Sequence, residues 1–270
     1  MTGVQTCALP IFNFYGIGNN TLQSAEDNLV QELIRMSLDI EKKILPFAYT
    51  GLSLAFDNQK FTDKIPNGIF QTLSNLNNRN GGSVLSLGAS QSYDTRNSNN
   101  YPTKGFFGRI SYQYAPDLFS GMAFKGSQIR VNLRNFWPIA PKVTLGLQGL
   151  LHTVQGSNIP FFLLPQLGND EVMRGYYTGR YRDQNLMVSQ AEVRYRFSNR
   201  FGLVGFAATG KVFANGNFSF NQLKPNYGLG GRYFFDTAKG LSVRFDYGVG
   251  EKRVNEKRQN GFYIGLAEAF

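Results

Sequence analysis

The sequence predicts an all-β protein, an antiparallel transmembrane β-barrel, on three observations. Apolar and polar residues alternate with period two through most of the 270 residues, the pattern of strands with two unlike faces. Aromatics reach 14% and Gly counts 30, while charged residues are only 17%, and no run approaches the roughly 18 apolar residues of a spanning helix. The connections alternate between short turns and long loops, as they do at the two rims of an outer-membrane barrel.

A soluble sandwich or lipocalin-like barrel shares that composition and alternation. The strands, however, repeatedly set Arg opposite bulky apolar residues over ten or so positions, about the length of a tilted membrane strand. The mean hydropathy of -0.27 argues against a helical membrane protein. The net charge of +10 is spread along the chain with no basic tail or helix, so nucleic-acid binding is not expected. A single His152 and a single Cys7 leave no basis for a metal site or a Cys/His catalytic pair, and no cofactor is expected. Asp170, Glu171 and Asp183 sit in a loop without evident fixed partners, which gives little support to acid/base catalysis.

Along the chain, TGVQTCALPI (Thr2 to Ile11) is similar to the in-frame translation of a common sequencing adapter. Residues 1–12 are therefore expected to be a scar and 13–270 the barrel domain. NFYGIGNN (Asn13 to Asn20) reads as a strand end and a turn. In Ala25 to Leu45, Val30, Ile34, Met36, Leu38 and Ile40 alternate as in a strand. Leu29, Leu33, Met36, Ile40 and Ile44 also fit helical spacing, and only the neighbouring pattern favours strand. Leu52, Leu54 and Phe56 then share a strand face, followed by a polar stretch to Gly82. Leu85, Leu87 and Ala89 oppose serines, Phe106, Ile110, Tyr112 and Tyr114 oppose Arg109, Ser111 and Gln113, and Ile129, Val131 and Leu133 oppose Arg130 and Arg134. Val143, Leu145, Leu147 and Leu151 continue the pattern. Met187, Ala191, Val193, Tyr195 and Phe197 oppose Gln190, Glu192, Arg194 and Arg196. Further strands start near Phe201, Asn226 and Leu241, and the chain ends on Phe262, Ile264, Leu266 and Phe270 in alternation with small residues.

Short turns are expected near Pro138, Ser198 and Asp236, and longer loops at Ala115–Gly121, Gln155–Gln184, Ala214–Lys224 and Glu251–Asn260. The segment from Gln155 to Gln184 is far the longest gap in the C-terminal half. It carries Arg174, Arg180 and Arg182 among three tyrosines, too basic and aromatic for a spacer, and loops of that length are commonly functional.

Four stretches resemble the outer-membrane assembly-factor barrels of the BamA/TamA type, the bacterial surface antigen family. MRGYYTGRYRD (Met173 to Asp183) resembles the Arg-Gly-aromatic motif at the tip of the sixth extracellular loop, with Arg174, Gly175 and Tyr176 in the motif positions. AEVRYRF (Ala191 to Phe197) resembles the strand after that loop. YDTRNSNNYPTKG (Tyr93 to Gly105) resembles the family's periplasmic turn, on Asp94, Arg96, Pro102 and Gly105. GFYIGLAEAF resembles a C-terminal β-signal, carried by Phe262, Ile264, Gly265, Leu266 and Phe270.

The resemblance implies a sixteen-stranded barrel, of which this chain holds the C-terminal eleven or twelve strands and no POTRA domain. About six strands are expected before the loop and five after it, beginning near Asn185, Phe201, Asn226, Gly240 and Gly261. It also implies that Arg174 descends into the lumen to pair with Glu192. The family places a second acid on the following strand, where FAATGKVF has Ala208 instead. Asp246, on the same side as Arg244 by parity, is an alternative partner.

In function, the resemblance implies a non-enzymatic, integral protein of the bacterial outer membrane. Its expected role is to help insert, assemble or translocate outer-membrane proteins through a seam between first and last strands. The lipid bilayer and unfolded outer-membrane client proteins are then its partners, with periplasmic or lipoprotein partners unidentified. Gly261 and Gly265 would weaken the seam. Two alternatives stand beside this. One is a passive channel or structural barrel lacking POTRA domains; the other is the barrel of a fusion with a lost N-terminal enzyme such as a patatin-like lipase. Plainer readings of single residues also stand: Arg174 as a solvated loop residue, and Arg130, Arg134, Arg194, Arg196, Arg232 and Arg244 as the lining of a water-filled interior. Gly228, Gly230 and Gly231 read as a place of bending or close approach within a strand, and His152 as a strand-end residue near a rim.

Overall fold

The computed structural model describes residues 2–5, 11–63, 65–74, 76–119 and 124–270. Cys7 and the end of the loop expected at Ala115–Gly121 lie outside the described residues. Two short strands, β1 (Thr2–Gln5) and β2 (Ile11–Phe14), precede six long ones: β3 (Asp27–Leu45), β4 (Ala48–Asp63), β5 (Gly81–Asp94), β6 (Gly105–Ala115), β7 (Lys125–Ala140) and β8 (Val143–Ser157). A two-stranded ribbon of β9 (Gln166–Leu167) and β10 (Tyr181–Arg182) lies inside the long loop. Five strands follow: β11 (Asn185–Tyr195), β12 (Phe201–Phe213), β13 (Lys224–Asp236), β14 (Leu241–Val249) and β15 (Asn260–Leu266). Apart from the ribbon, the strands form one 13-stranded sheet ordered β1-β3-β4-β5-β6-β7-β8-β11-β12-β13-β14-β15, with β2 also on β3. Every pairing is antiparallel, and from β3 to β15 each is between sequence neighbours once the ribbon is set aside, so that part of the sheet is a meander.

The segment that fits both periods is a strand. β3 pairs with β4 from Leu29↔Asp63 to Leu45↔Ala48, and Ile34, Met36, Leu38 and Ile40 all point to one exposed face. A helix would have turned two of them away.

Burial answers what parity left open. The apolar faces are exposed, as at Leu52, Ile110, Leu133, Val193, Leu203 and Ile264, while Gln148, Gln190, Glu192, Arg194, Arg232 and Asp246 are buried. A soluble barrel would do the reverse. An apolar outer wall around a polar interior is the arrangement that lipid imposes on spanning strands.

At one rim the connections are tight. Phe47 (φ 66°) and Lys142 (φ 67°) sit in turns with positive φ. The longest of these turns, 95–104, crosses to the 237–240 turn, where Asn100 Nδ2 donates to Lys239 O at 3.0 Å and Tyr101 meets Phe234 edge-on at 5.0 Å. At the other rim the loops build an apolar dome from Phe14, Phe61, Phe70, Phe161 and Phe162. The polar stretch before Gly82 contributes a one-turn helix, α1 (Ile69–Thr72), whose Phe70 N–H donates to buried Asp27 at 2.6 Å.

The end of the chain departs from expectation. The strand stops at Leu266; Ala267 takes φ 61° and donates to Ser242 O at 2.7 Å. Phe270 is not on the strand but buried inside, its ring stacked on Phe136 at 6.1 Å. Two arginines draw the tail inward. Arg232 Nε holds Glu268 at 2.8 Å, and Arg194 Nη2 donates to the Phe270 main-chain oxygen at 2.7 Å. Among the described residues, β15 has no strand partner beyond β14.

Candidate functional site

The long loop folds back into the lumen against β11–β14. Asn169 begins the descent: its Oδ1 accepts from the N–H groups of Glu171 (2.8 Å) and Val172 (2.6 Å), the side-chain turn that Asn favours. Met173 (φ 56°) and Gly175 (φ 107°) reverse the chain at the motif. Gly175 is needed twice over, for its φ and for contact: a Cβ there would meet Gly248 C at 2.8 Å, and one on Gly248 would meet Arg174 O at 2.5 Å. Two glycines let loop backbone lie on strand backbone.

The sheet register prepares the trough that receives Arg174. One inward row runs Glu192–Phe206–Gly228–Gly248 across β11 to β14, and the next runs Arg194–Val204–Gly230–Asp246. The inward glycines leave room between Glu192 and Asp246 for a guanidinium. Arg174 fills it, donating through Nη1 to Asp246 Oδ2 at 2.5 Å and through Nη2 to Glu192 Oε1, with its Cζ 3.6 Å from the centroid of the Phe206 ring. Its carbonyl accepts from Asn226 Nδ2 at 2.6 Å.

The acids are shared. Arg194 reaches Glu192 Oε2 at 2.8 Å, Arg232 reaches Asp246 Oδ1 at 2.6 Å, and Arg244 lies between Asp170 (2.7 Å) and Asp246 (3.3 Å). Four guanidiniums thus face four carboxylates, Glu192, Asp246, Glu268 and Asp170. All are buried except Asp170, which is partly solvated. The ammonium-like charge of each arginine is matched, as burial demands. Arg194, Arg232 and Arg244 therefore do not line a water-filled interior: the loop covers Arg244, the C-terminal tail covers Arg194 and Arg232, and the acids take the place of water.

Above the motif the tyrosines anchor the loop. Tyr176 Oη donates to Pro225 O at 2.7 Å and accepts from Glu251 N–H at 3.0 Å; burial raises its pKa well above the usual phenol value. Tyr181 Oη donates to Glu251 at 2.5 Å, and Tyr263 Oη on β15 accepts from Gly175 N–H at 2.8 Å. Arg180 donates to Thr21 Oγ1 and to Thr21 O, each at 2.8 Å. Arg182 is buried under Phe12 and Phe14 (4.6 and 5.2 Å to the ring centroids), and lacking a carboxylate its pKa is pushed down to about 9 by burial.

The structure thus brings together Arg174, Gly175, Tyr176, Glu192 and Asp246. Ala208, where the family's second acid was sought, lies in the row of Gln190 and Asn226; the second carboxylate comes from β14 instead, across Gly230. The turn residues lie apart at the tight rim. Arg96 donates to Asp94 at 2.9 and 2.7 Å, Pro102 is buried, and Gly105 (φ 106°) passes so close to Thr95 O that a Cβ would sit 2.4 Å from it. On β15, Phe262, Ile264 and Leu266 face outward, and Gly265 leaves space for Arg244. Sequence reasoning missed Arg232, Glu268 and Tyr263 as parts of this network; the inward parity of Arg232 with Arg244 was its one visible signal.

A β-barrel with an apolar wall, tight turns at one rim, and a loop pinned inside its lumen by an arginine between two acids is the build of an outer-membrane assembly-type barrel. The Omp85 superfamily domain matches residues 26–270, and the chain belongs to that superfamily. The crystal structure of BamA from Haemophilus ducreyi lacking POTRA domains 1–3 matches with a TM-score of 0.64 at 14% identity, over 90% of this chain and 55% of that one. The chain thus spans about half the length of that BamA and shares its fold. A NanC porin structure matches with a TM-score of only 0.36 at 8% identity, over 89% of this chain and 96% of the porin. Comparison with curated proteins gave no match. The protein is an integral outer-membrane β-barrel of the Omp85 superfamily, with the fold of the BamA barrel.

Proposed function

We propose that this barrel assists the insertion of other outer-membrane β-proteins by strand addition at β15, without enzymatic chemistry. The observation that carries the reading is the short, thinly packed build of that strand. β15 has seven residues against the thirteen of β13 and turns inward after Leu266. Unpaired ladder groups in lipid are costly, and an incoming client strand that satisfies them is favoured. Inward Gly261 and Gly265 give β15 little side-chain packing of its own on that face, which suits a partner that must exchange. The loop gives β15 a fixed reference, since Gly175 N–H is tied to Tyr263 of that strand.

A passive channel is the weaker alternative, because Arg174, Tyr176 and Tyr181 are buried across the lumen beside β11–β14. The test uses liposomes containing the folded protein and, as client, a urea-unfolded outer-membrane β-barrel protein. Folded client, read by its heat-modifiable migration, should accumulate several times faster than in empty liposomes. Equal rates would overturn the proposal, and steady single-channel conductance with equal rates would establish the channel.

A further inference from the structure

The strand parity of β12 sets one charge on the wrong side of the wall. Its even residues face inward, as Phe206 under Arg174 does; its odd residues Phe201 and Leu203 face lipid. Lys211 is odd and pairs across β11 with Met187, which pairs in turn with lipid-facing Leu151. Yet Lys211 is only 5% exposed. It is covered by the 214–223 loop between β12 and β13. Lys211 Nζ donates to Ser219 O (2.9 Å), Ser219 Oγ (3.3 Å) and Asn221 O (2.9 Å). Those three acceptors use all three ammonium donors.

Beside the covered lysine, the loop presents an aromatic face outward. Phe213, Phe218 and Phe220 pack edge to face at 5.3 and 4.9 Å, and Phe218 and Phe220 are 48% and 72% exposed. The loop is held from above as well, with Asn19 Nδ2 and Asn20 Nδ2 each donating to Gln222 at 2.8 Å. Its height follows from strand geometry. From Phe201 to Lys211 is about 33 Å along a strand at about 3.3 Å per residue. At a tilt of about 40° that becomes about 25 Å, the height of a barrel's apolar band. Lys211 therefore lies where acyl chains meet headgroups, and Phe218, packed on Phe213 of the same outward side of β12, continues the wall at that level.

We propose that the 214–223 loop is a membrane-docking element that seats Phe218 and Phe220 among the outer-leaflet lipids at the headgroup–acyl boundary, clamped in that pose by Lys211. Aromatic side chains favour that depth. The occupant is lipid, because Phe218 packs on Phe213 of the outward side of β12 and the loop lies at the level where the wall ends.

The sole tryptophan, Trp137, permits a direct test. In a W137F background, F220W and, as an aqueous reference, V254W are prepared (Val254 is 89% exposed on another loop) and folded into liposomes whose lipids carry bromine high or low on the acyl chains. F220W should emit to the blue of V254W and lose most of its intensity to bromines placed high on the chains. Unquenched F220W emission matching V254W would overturn docking, whether the rings stand in water or await a protein. Adding K211M should reduce the quenching; unchanged quenching would overturn the lysine clamp.

Discussion

Two walls of the same lumen carry arginines and treat them in opposite ways. Against β11–β14, the loop's Arg174 and the strand residues Arg194, Arg232 and Arg244 are sealed beneath the loop and the inward C-terminal tail, each against a carboxylate. On β6–β8, Arg109 and Arg130, with Ser111, Gln113, Gln128, Asn132 and His152, line a cavity of about 320 Å³. Among the described residues only Arg109 there has an acid, Glu41 of β3, which reaches it across the small residues Gly51 and Ser90. The difference teaches that a lumenal arginine has no fixed meaning. Where water remains, it is a solvated lining; where a loop excludes water, it needs an acid, and the pair holds the loop in one register. Such pairs contribute more to geometry than to net stability, since desolvation offsets their attraction.

The largest effect should come from breaking the sealed wall at its centre. Arg174→Ala leaves Glu192 and Asp246 buried with one partner fewer each and opens a void on Phe206. Removing one member of a buried pair costs about 3–5 kcal/mol. Urea unfolding in detergent micelles should show a loss of that size, with a smaller folded, heat-modifiable fraction after refolding. Arg174→Lys should restore little, because an ammonium cannot span two carboxylates as the planar fork does. Wild-type stability of Arg174→Ala would mean that the loop is held by its tyrosines alone, and the contrast between walls would lose its basis.

A middle-sized effect separates the two faces of a single strand. Gly230 and Gly231 are neighbours in GLGG, but a Cβ on Gly230 would meet Asp246 Oδ1 at 1.9 Å, whereas one on Gly231 meets nothing within 4 Å. Gly230→Ala should push Asp246 out of line with Arg174 and Arg232 and cost about 1–3 kcal/mol, as overpacking does. Gly231→Ala should be neutral or slightly stabilising, because the added methyl faces lipid and the unfolded chain loses freedom. Equal effects at both positions would show that backbone freedom, and not the inward trough, accounts for the glycines.

Much of this was legible because period two is a local signal. Starts expected near Phe201 and Leu241 match β12 and β14, and the long gap after β8 is where the loop enters. What parity could not say was which face met lipid; that required the burial of Glu192 against the exposure of Val193. Nor could it separate wet from dry arginines, since Arg130 and Arg194 look alike in alternation and differ only in what folds over them. The inward tail was illegible for the same reason. Continuing the alternation puts Phe270 outside, while Arg194, Arg232 and Phe136, all distant in sequence, draw it in. The dome joins Phe14 and Phe61, at the ends of β2 and β4, to Phe70 and Phe161 from the connections, which have no period to read. Asp246 illustrates the limit: parity placed it on the right face, but Gly228 and Gly230 are what let it reach across to the loop.

The smallest effect is expected on the open wall, and it is the sharpest check on the comparison. Arg130 pairs across β7 and β8 with His152 and is exposed to the lumen, and no carboxylate lies within salt-bridge distance of it among the described residues. Its charge is solvated in the folded barrel, so removing it strands no buried acid. Arg130→Ala should change unfolding free energy by no more than about 0.5 kcal/mol, the range of substitutions away from packed features. Any shift should be towards greater stability, because a cation is removed from beside Arg109 and Arg134, and added salt should shrink it. Urea titrations of the Arg130→Ala and Arg174→Ala proteins at low and high salt would measure both walls together. A loss at Arg130 comparable to that at Arg174 would mean that the open wall is also dry, with a carboxylate brought to it by strands beyond β3.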